Sequence, residues 1–344
     1  MSSSLSELLV KALHGESLSE VESEAAVSAV MDGLASSVQI AALLAALRVR
    51  GETTDELVGA ARAMRARVVP VEHSFERLVD TCGTGGDGAK TFNISTAAAF
   101  VVASADLVVG KHGNRAVSSS VGSADVLEAL GVSLSLEPEA IGRCMSEIGI
   151  GFMFAQRHHG ALRHAAAVRR ELGVRTMFNL LGPLTNPASA THQLMGIFDG
   201  RRLMQVAEVL GRLGVKRALV VHGPGGLDEL GLEGPTEAVL LDGGQLTAMT
   251  LDPTGLVEGA PVSRLAGGDA AMNADLILRV LGGEPGPAFE VVALNAGAAL
   301  WAADAVRDLA DGVKLARDLM TRGKALERLE ALKALTTELM RGES

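Results

Sequence analysis

Cysteine is scarce. The 344 residues contain two, Cys82 and Cys144, which is no disulfide framework and no metal-ligand spacing. There is no basic block either: 31 Lys and Arg stand against 41 Asp and Glu, a net charge of −10. Generic binding to a phosphate backbone is therefore disfavoured, and a nucleic-acid role would need a local patch. Long apolar runs are also missing. Ile40 to Leu47 and Ala97 to Ala103 fall far short of the roughly 20 residues of a membrane helix. The opening MSSSLSELLVKALHGE has neither a basic stretch nor a continuous apolar one, as a secretion signal would. These absences predict a reduced, cytoplasmic protein with no membrane or nucleic-acid partner. What is present is a composition that buries a core, 48% hydrophobic and 21% charged, in a chain longer than the roughly 250 residues at which single cores divide.

The texture changes once along the chain. Residues 1–70 read as four short helices: Ser4/Glu7, Ser19/Glu22 and Thr53/Glu56 match the capping box, and Gly15, Gly33 and Gly51 sit where helices stop. Their apolar positions are dense, as in Ile40, Leu43, Leu44 and Leu47, so a face must bury against the rest of the chain or another subunit. From Leu78 short apolar runs end in Gly-rich loops and lead into helices, at Leu78-Val79, Leu107 to Val109, Ile150 to Phe154, Leu194 to Phe198 and Ala218 to Val221. Strands alternating with helices predict a mostly parallel sheet. Gly243-Gly244 between two apolar runs predicts one hairpin, and helix returns from Asp269. The fold class is α/β: a small all-α domain over 1–70, with a later helical segment near 165–185 packing against it, and a large α/β domain over 71–344.

Two constellations carry the chemistry. Asp80-Thr81-Cys82-Gly83-Thr84-Gly85-Gly86-Asp87-Gly88 follows a predicted strand and precedes Thr91-Phe92-Asn93-Ile94-Ser95-Thr96 at the head of an Ala-rich helix. Glycines let backbone approach an anion, and the helix start adds free N–H groups and a favourable dipole end. This reads as a phosphate cradle; the alternative is a Gly-rich turn with Ser95 or Thr96 as an ordinary cap. It is neither a Walker loop nor a dinucleotide fingerprint. The second is Lys111-His112-Gly113-Asn114-Arg115-Ala116-Val117-Ser118-Ser119, after the second strand, with Gly122-Ser123-Ala124-Asp125 beginning another helix. Two cations, an amide and hydroxyls at a strand's carboxyl end suit a polyanion; a solvated basic loop is the alternative.

These motifs, with VRRELGVRTMFNLLGPLTNP over 168–187 and HGPGGLDE over 222–229, resemble the successive signatures of the anthranilate phosphoribosyltransferase family, in its order and spacing over most of the chain. The fold implied is that of the nucleoside phosphorylases and class III phosphoribosyltransferases. The reaction implied is Mg²⁺-dependent transfer of the phosphoribosyl group of 5-phosphoribosyl 1-pyrophosphate (PRPP) to the amine of anthranilate, a step of tryptophan biosynthesis. By the same resemblance Gly83, Gly86, Asp87, Thr91, Asn93, Ile94, Ser95 and Thr96 hold pyrophosphate and ribose. Lys111, His112, Gly113, Asn114, Arg115, Ala116, Val117, Ser118, Ser119 and Ser123 grip the phosphates. Ser95, Asp228 and Glu229 serve Mg²⁺, an ion that prefers oxygen ligands shared with substrate phosphates. Lys111, Asp228 and Glu229 are the implied catalytic residues. Gly83, Asn114 and Arg169 form the anthranilate pocket, where a planar guanidinium meets a carboxylate with two parallel hydrogen bonds. A homodimer through the N-terminal helices is implied as well.

Competing readings are a pyrimidine nucleoside phosphorylase, whose second motif resembles KHSGR where this chain has KHGNR, and a non-catalytic relative that binds nucleic acid, for which a basic surface is missing. Gln156 and Gly160 stand where family members carry prolines, which bears on the acceptor entrance. His158, His159 and His164 lack the i, i+4 spacing of a helical zinc site, so no zinc is assigned. Cys82 is read as a buried thiol rather than a nucleophile, and Asp125, Glu128 and the charged C-terminal helix as helix-start and solvated charges.

Overall fold

The computed structural model describes residues 4–116 and 121–342. Helices α1 (Leu5–Leu13), α2 (Glu20–Met31), α3 (Ser37–Arg50) and α4 (Thr54–Arg65) form the N-terminal bundle. All three expected capping boxes are made, and Ser36/Gln39 adds a fourth. Each satisfies two otherwise free backbone donors, typically worth about 1 kcal/mol. Glycines 15, 33 and 51 follow α1, α2 and α3 at φ 80°, 72° and 90°.

The remainder is α/β. β1 (Leu78–Gly83) leads to α5 (Ile94–Ala103), β2 (Val108–Gly113) to α6 (Ser123–Ala129) and α7 (Pro138–Ile148), and β3 (Ile150–Phe154) to α8 (Ala155–His158), α9 (Arg163–Leu172) and α10 (Phe178–Leu181). β4 (His192–Gly196), α11 (Leu203–Arg212) and β5 (Arg217–His222) follow, then the hairpin β6 (Thr236–Asp242) and β7 (Gln245–Leu251), and helices α12 (Ala270–Leu281), α13 (Pro287–Ala302), α14 (Leu309–Thr321) and α15 (Lys324–Gly342). The seven strands lie in the order β3-β2-β1-β4-β5-β6-β7, parallel from β3 to β5 and antiparallel thereafter.

Side chains alternate across the sheet and divide the core in two. Leu194, Leu219 and Val221 face a core built with α5, α7 and α12 to α15, while Met195, Ala218 and Val220 face one shared with α11 and the N-terminal helices. Helix α9 packs on α2 and α3, and its Ala165 and Val168 belong to this second core.

Two boundaries differ from the sequence reading. β2 runs to Gly113, so Lys111, His112 and Gly113, expected in the loop after the strand, pair in register with Phe152, Met153 and Phe154 of β3. β1 likewise includes Cys82 and Gly83, paired with Met195 and Gly196 of β4. In each case one parallel neighbour, β3 for β2 and β4 for β1, extends the ladder, and the chemistry-bearing residues gain the rigidity of a sheet. The order of connections reverses between β1 and β4: the chain moves outward through β2 and β3, returns, and moves out the other way. Open α/β sheets bind ligands in the crevice beyond the carboxyl ends of the strands at such a reversal.

Candidate active site

A cleft of about 280 Å³ lies at that reversal. Its floor is the loop after β1, where Gly85, Gly86 and Gly88 take φ of 64°, 74° and 80°, a conformation open to glycine and costly elsewhere. One wall is the start of α5. Asn93 is the N-cap and makes no side-chain cap; the alternative of Ser95 or Thr96 as an ordinary cap is not realised, and the Ile94, Thr96 and Ala97 N–H groups bond the Phe92 and Asn93 carbonyls. The Asn93 amide is held instead between the Val121 carbonyl (3.2 Å) and Asn273 Nδ2, which donates to Asn93 Oδ1 (3.0 Å). Thr96 Oγ1 is buried and has no hydrogen-bond partner among the described residues. The opposite wall is the end of β2. Lys111 is 3% exposed, and its Nζ donates to the Thr81 carbonyl (2.5 Å).

Beneath lies a network anchored on Asp80, which accepts from Asn186 Nδ2 (2.7 Å), the His112 N–H (3.3 Å) and the Cys82 thiol (3.2 Å). Burial raises the Asp80 pKa and Lys111 opposes the rise. Burial, and then Asp80, push the Cys82 thiol well above its ordinary range, which keeps it protonated and a poor nucleophile.

The loop after β5 folds back across the strand ends. A Cβ on Gly83 would lie 2.5 Å from Asp228 Oδ2, and one on Gly196 would lie 1.5 Å from the Asp228 carbonyl. Only glycine at both positions lets this loop bring Asp228 and Glu229 over the sheet. Asp228 Oδ2 accepts the Gly85 N–H (2.6 Å). Burial, then the Asp87 carboxylate, raise the Asp228 pKa; burial, then Asp228, raise that of Glu229. Crowded, buried carboxylates that resist ionising together suit a hard cation, and Ser95 lines the same cleft. Among the described residues no group of three His, Cys, Asp or Glu side chains is placed to hold a metal ion by itself.

Not every expected contact points inward. Arg115 pairs with Asp125 and Glu128 at 2.8 Å each and lies over the Phe154 ring, so its charge is already met. Asp125 also accepts the Gly122 and Ala116 N–H groups, tying this turn together. Val117, Ser118 and Ser119 lie outside the described residues.

A second cavity, about 210 Å³, adjoins the first and shares Cys82, Gly83, Thr84, His112, Gly113 and Asn114 with it. Arg169 closes its far end, half-buried, with its guanidinium 5.1 Å from the centre of the Phe178 ring. Among the described residues it has no ion pair, and burial lowers its pKa. Its neighbour Arg170 is exposed. Gln156 and Gly160 are exposed too, and Ala155, His159 and Leu162 line the pocket instead. His158 Nδ1 bonds the Val69 carbonyl (2.7 Å), His159 Nε2 faces His112 Nε2 (3.2 Å), and His164 packs beside Gly33; the three imidazoles go to different places.

A model of the glycosyl transferase family helical bundle domain matches residues 6–68, and a model of that family's a/b domain matches 75–326. Anthranilate phosphoribosyltransferases of Symbiobacterium thermophilum and Thermomicrobium roseum are 51% and 52% identical, over 98% of this chain in each case and 99% and 98% of theirs. The crystal structure of the Thermus thermophilus enzyme, 46% identical, superposes with a TM-score of 0.91 over 96% of this chain and 99% of that one. The chain belongs to the anthranilate phosphoribosyltransferase family. A Saccharomyces cerevisiae anthranilate phosphoribosyltransferase in complex with PRPP and Mg shares the fold at 24% identity and a TM-score of 0.88 over 97% of this chain and 98% of that one.

For an anthranilate phosphoribosyltransferase, several site residues had no signal of their own in the sequence. Asp80 and Asn186 sit inside quoted motifs, yet nothing local says that they meet. Arg175, also within a quoted motif, bonds the Gly86 carbonyl and stacks 4.2 Å from the centre of the Phe198 ring, and Asn273 of α12, far off in sequence, holds Asn93.

Proposed function

We propose that this chain transfers the phosphoribosyl group of PRPP to the amine of anthranilate, giving N-(5-phosphoribosyl)-anthranilate and pyrophosphate. The observation that carries the reading is the pair of contiguous cavities. One is polar and lined by a glycine-rich loop and carboxylates, the other is lined by an arginine with no ion pair among the described residues, and they meet at Gly83 and His112 to Asn114. A phosphorylated sugar and an aromatic carboxylate placed so bring an amine to the anomeric carbon.

On this reading Gly83, Gly86, Asp87 and Thr91 with the start of α5 hold the pyrophosphate and ribose, and residues 111–119 with Ser123 grip the phosphates. Arg169 fixes the carboxylate of anthranilate. The C1–O bond breaks with oxocarbenium character, as in other glycosyl transfers, so holding the amine in line and stabilising the departing pyrophosphate are the main tasks. Bound Mg²⁺, held through Asp228, Glu229 and Ser95, supplies positive charge to the pyrophosphate oxygens. Lys111, a fixed ammonium at the end of β2, adds a second positive centre. The carboxylates of Asp87 and Asp228 repel free anions and favour a metal complex of the donor.

A homodimer, a cytoplasmic setting and a domain division at residue 70 belong to the same proposal. The dimer rests on a shallow apolar surface between α1 and α3, formed by Ala12, Leu13, Ala42, Ala45, Ala46 and Val49. Leu13 is 59% and Val49 88% exposed, an unusual display for a solvent face. No helix among the described residues is long and apolar enough to cross a membrane. The test is direct: anthranilate fluorescence should fall on mixing with PRPP and Mg²⁺. Phosphorolysis of thymidine without use of anthranilate would overturn the reading.

A further inference from the structure

The two imidazoles of the acceptor pocket make an unusual pair. His112 and His159 are 6% and 7% exposed, their rings are 5.0 Å apart, and their Nε2 atoms face each other at 3.2 Å. The ring of His112 is also within hydrogen-bonding reach of the Gly182 carbonyl, and that of His159 within reach of the Thr185 carbonyl. A neutral imidazole has one N–H. With each given to its carbonyl, two lone pairs face each other, and one added proton turns that repulsion into a hydrogen bond. The pair is thus built to take up one proton. His112 lines both cavities while His159 lines only the second, so His112 stands at the junction and His159 behind it.

Resting on the functional reading above, we propose that His112, backed by His159, accepts the proton released when the amine of anthranilate is glycosylated. The nitrogen lone pair forms the bond to C1 as the C1–O bond breaks and its electrons leave with pyrophosphate. The nitrogen is then a cationic arylammonium bearing two hydrogens. One passes into the His112–His159 pair, the N–H electrons return to nitrogen as its lone pair, and the proton is held between the two facing Nε2 atoms until product release. The ortho carboxylate of the substrate, engaged by Arg169, is not free to take it. An N-alkylated arylammonium is a strong acid, so a weak base is well matched to it. Burial, and then the facing imidazole, hold His112 well below its ordinary range, and burial holds His159 at about 4. The other charged groups around His112 are Lys111 on its own strand, Asp80 on β1, His158 on α8 and Arg169 on α9.

The test compares His112→Gln and His159→Gln with the wild type across anthranilates bearing ring substituents from electron-donating to electron-withdrawing. The expected result is a fall in kcat of roughly 100-fold for His112→Gln and a smaller fall for His159→Gln, with the KM for PRPP unchanged in His159→Gln, whose site lines, of the two cavities, only the acceptor pocket. The defect should shrink as the acceptor becomes more electron-poor, because a more acidic intermediate loses its proton to water unaided. An equal defect for every acceptor, or a rise in the KM for anthranilate with kcat intact, would show residues that merely shape the pocket and would overturn the proposal. Should His112→Gln not fold, as judged by loss of a cooperative melting transition, the acceptor dependence of His159→Gln decides alone. A wild-type enzyme inert towards every anthranilate would instead overturn the functional reading on which the proposal stands.

Discussion

Arg169 is a charge kept in reserve. Lys111, buried at the donor cleft, bonds the Thr81 carbonyl, whereas among the described residues the half-buried Arg169 guanidinium has no ion pair and meets the face of Phe178. Arg169→Ala should therefore raise the KM for anthranilate and leave that for PRPP near wild type. A charge-assisted, bidentate contact is worth on the order of 2 to 4 kcal/mol in kcat/KM, or roughly 30- to 1000-fold. Arg169→Lys should fall between, restoring charge without the planar fork. Aniline, lacking the carboxylate, should be a poor substrate that is indifferent to the change; equal slowing of aniline and anthranilate would make Arg169 structural. At the proposed metal site, Asp228→Asn with Glu229→Gln should abolish the dependence of PRPP use on Mg²⁺ while melting stays cooperative, since amides do not balance the charge of the ion. Unchanged magnesium titration in the folded double variant would remove both residues from that role.

Buried histidines also set the response to acid. His159 and His192 are both held near 4, chiefly by burial, against about 6.5 in an unfolded chain. Below the unfolded value the unfolded state binds protons that the folded state refuses, so stability is full above about pH 6.5 and is lost progressively towards pH 4. Thermal melting should show this slope, and His192→Gln should flatten it without touching catalysis. A melting temperature flat from pH 7 to 4.5 would contradict the assignment.

Among elements, the loop after β5 depends most on what it crosses. Gly196 has no room for a Cβ because the Asp228 carbonyl occupies that space. Gly196→Ala should displace the loop, cost on the order of 1 to 3 kcal/mol by overpacking, and cut PRPP use far more than it cuts stability. Differential melting with the Mg²⁺ dependence of activity separates the two. Gly15→Ala, with nothing within 4 Å but φ 80°, should cost about 1 kcal/mol of backbone strain and leave turnover alone.

The contrast explains what could be read in the chain. Capping boxes, the Asp269 cap and the hairpin turn are local rules spanning a few residues, and all appear where the sequence puts them. The Gly-rich loop and the Asp228-Glu229 pair are legible as motifs because a phosphate or metal site concentrates its residue types in one stretch. The extension of β1 and β2 through Gly83 and Gly113 was not legible, since it depends on partner strands distant in sequence, Gly196 for Gly83 and Phe154 for Gly113. The same holds for the meeting of His112 with His159, for Asn273 against Asn93 and for the Asp80 to Asn186 bond, each of which exists only once the sheet has assembled.

At the scale of the molecule, the bundle presents an apolar face that its own chain leaves uncovered. If α1 and α3 pair across a twofold axis, Val49→Asp should convert a dimer into a monomer at micromolar concentration by light scattering, with the melting transition shifted down. A wild-type monomer at that concentration would contradict the pairing.

The two cavities are mounted on different bodies. The donor cleft takes its walls from residues 82–123 and 228–229, all within the α/β part, whereas the acceptor pocket draws Met64 from α4 and Arg169 from α9 on one side and Gly83 and Asn114 from strand ends on the other. A rocking of the bundle against the sheet would therefore bear more directly on the acceptor pocket than on the donor cleft, which the α9 side reaches through the Arg175 bond to the Gly86 carbonyl. By thermodynamic reciprocity an acceptor bound there would act as a clasp between the two bodies and damp their relative motion.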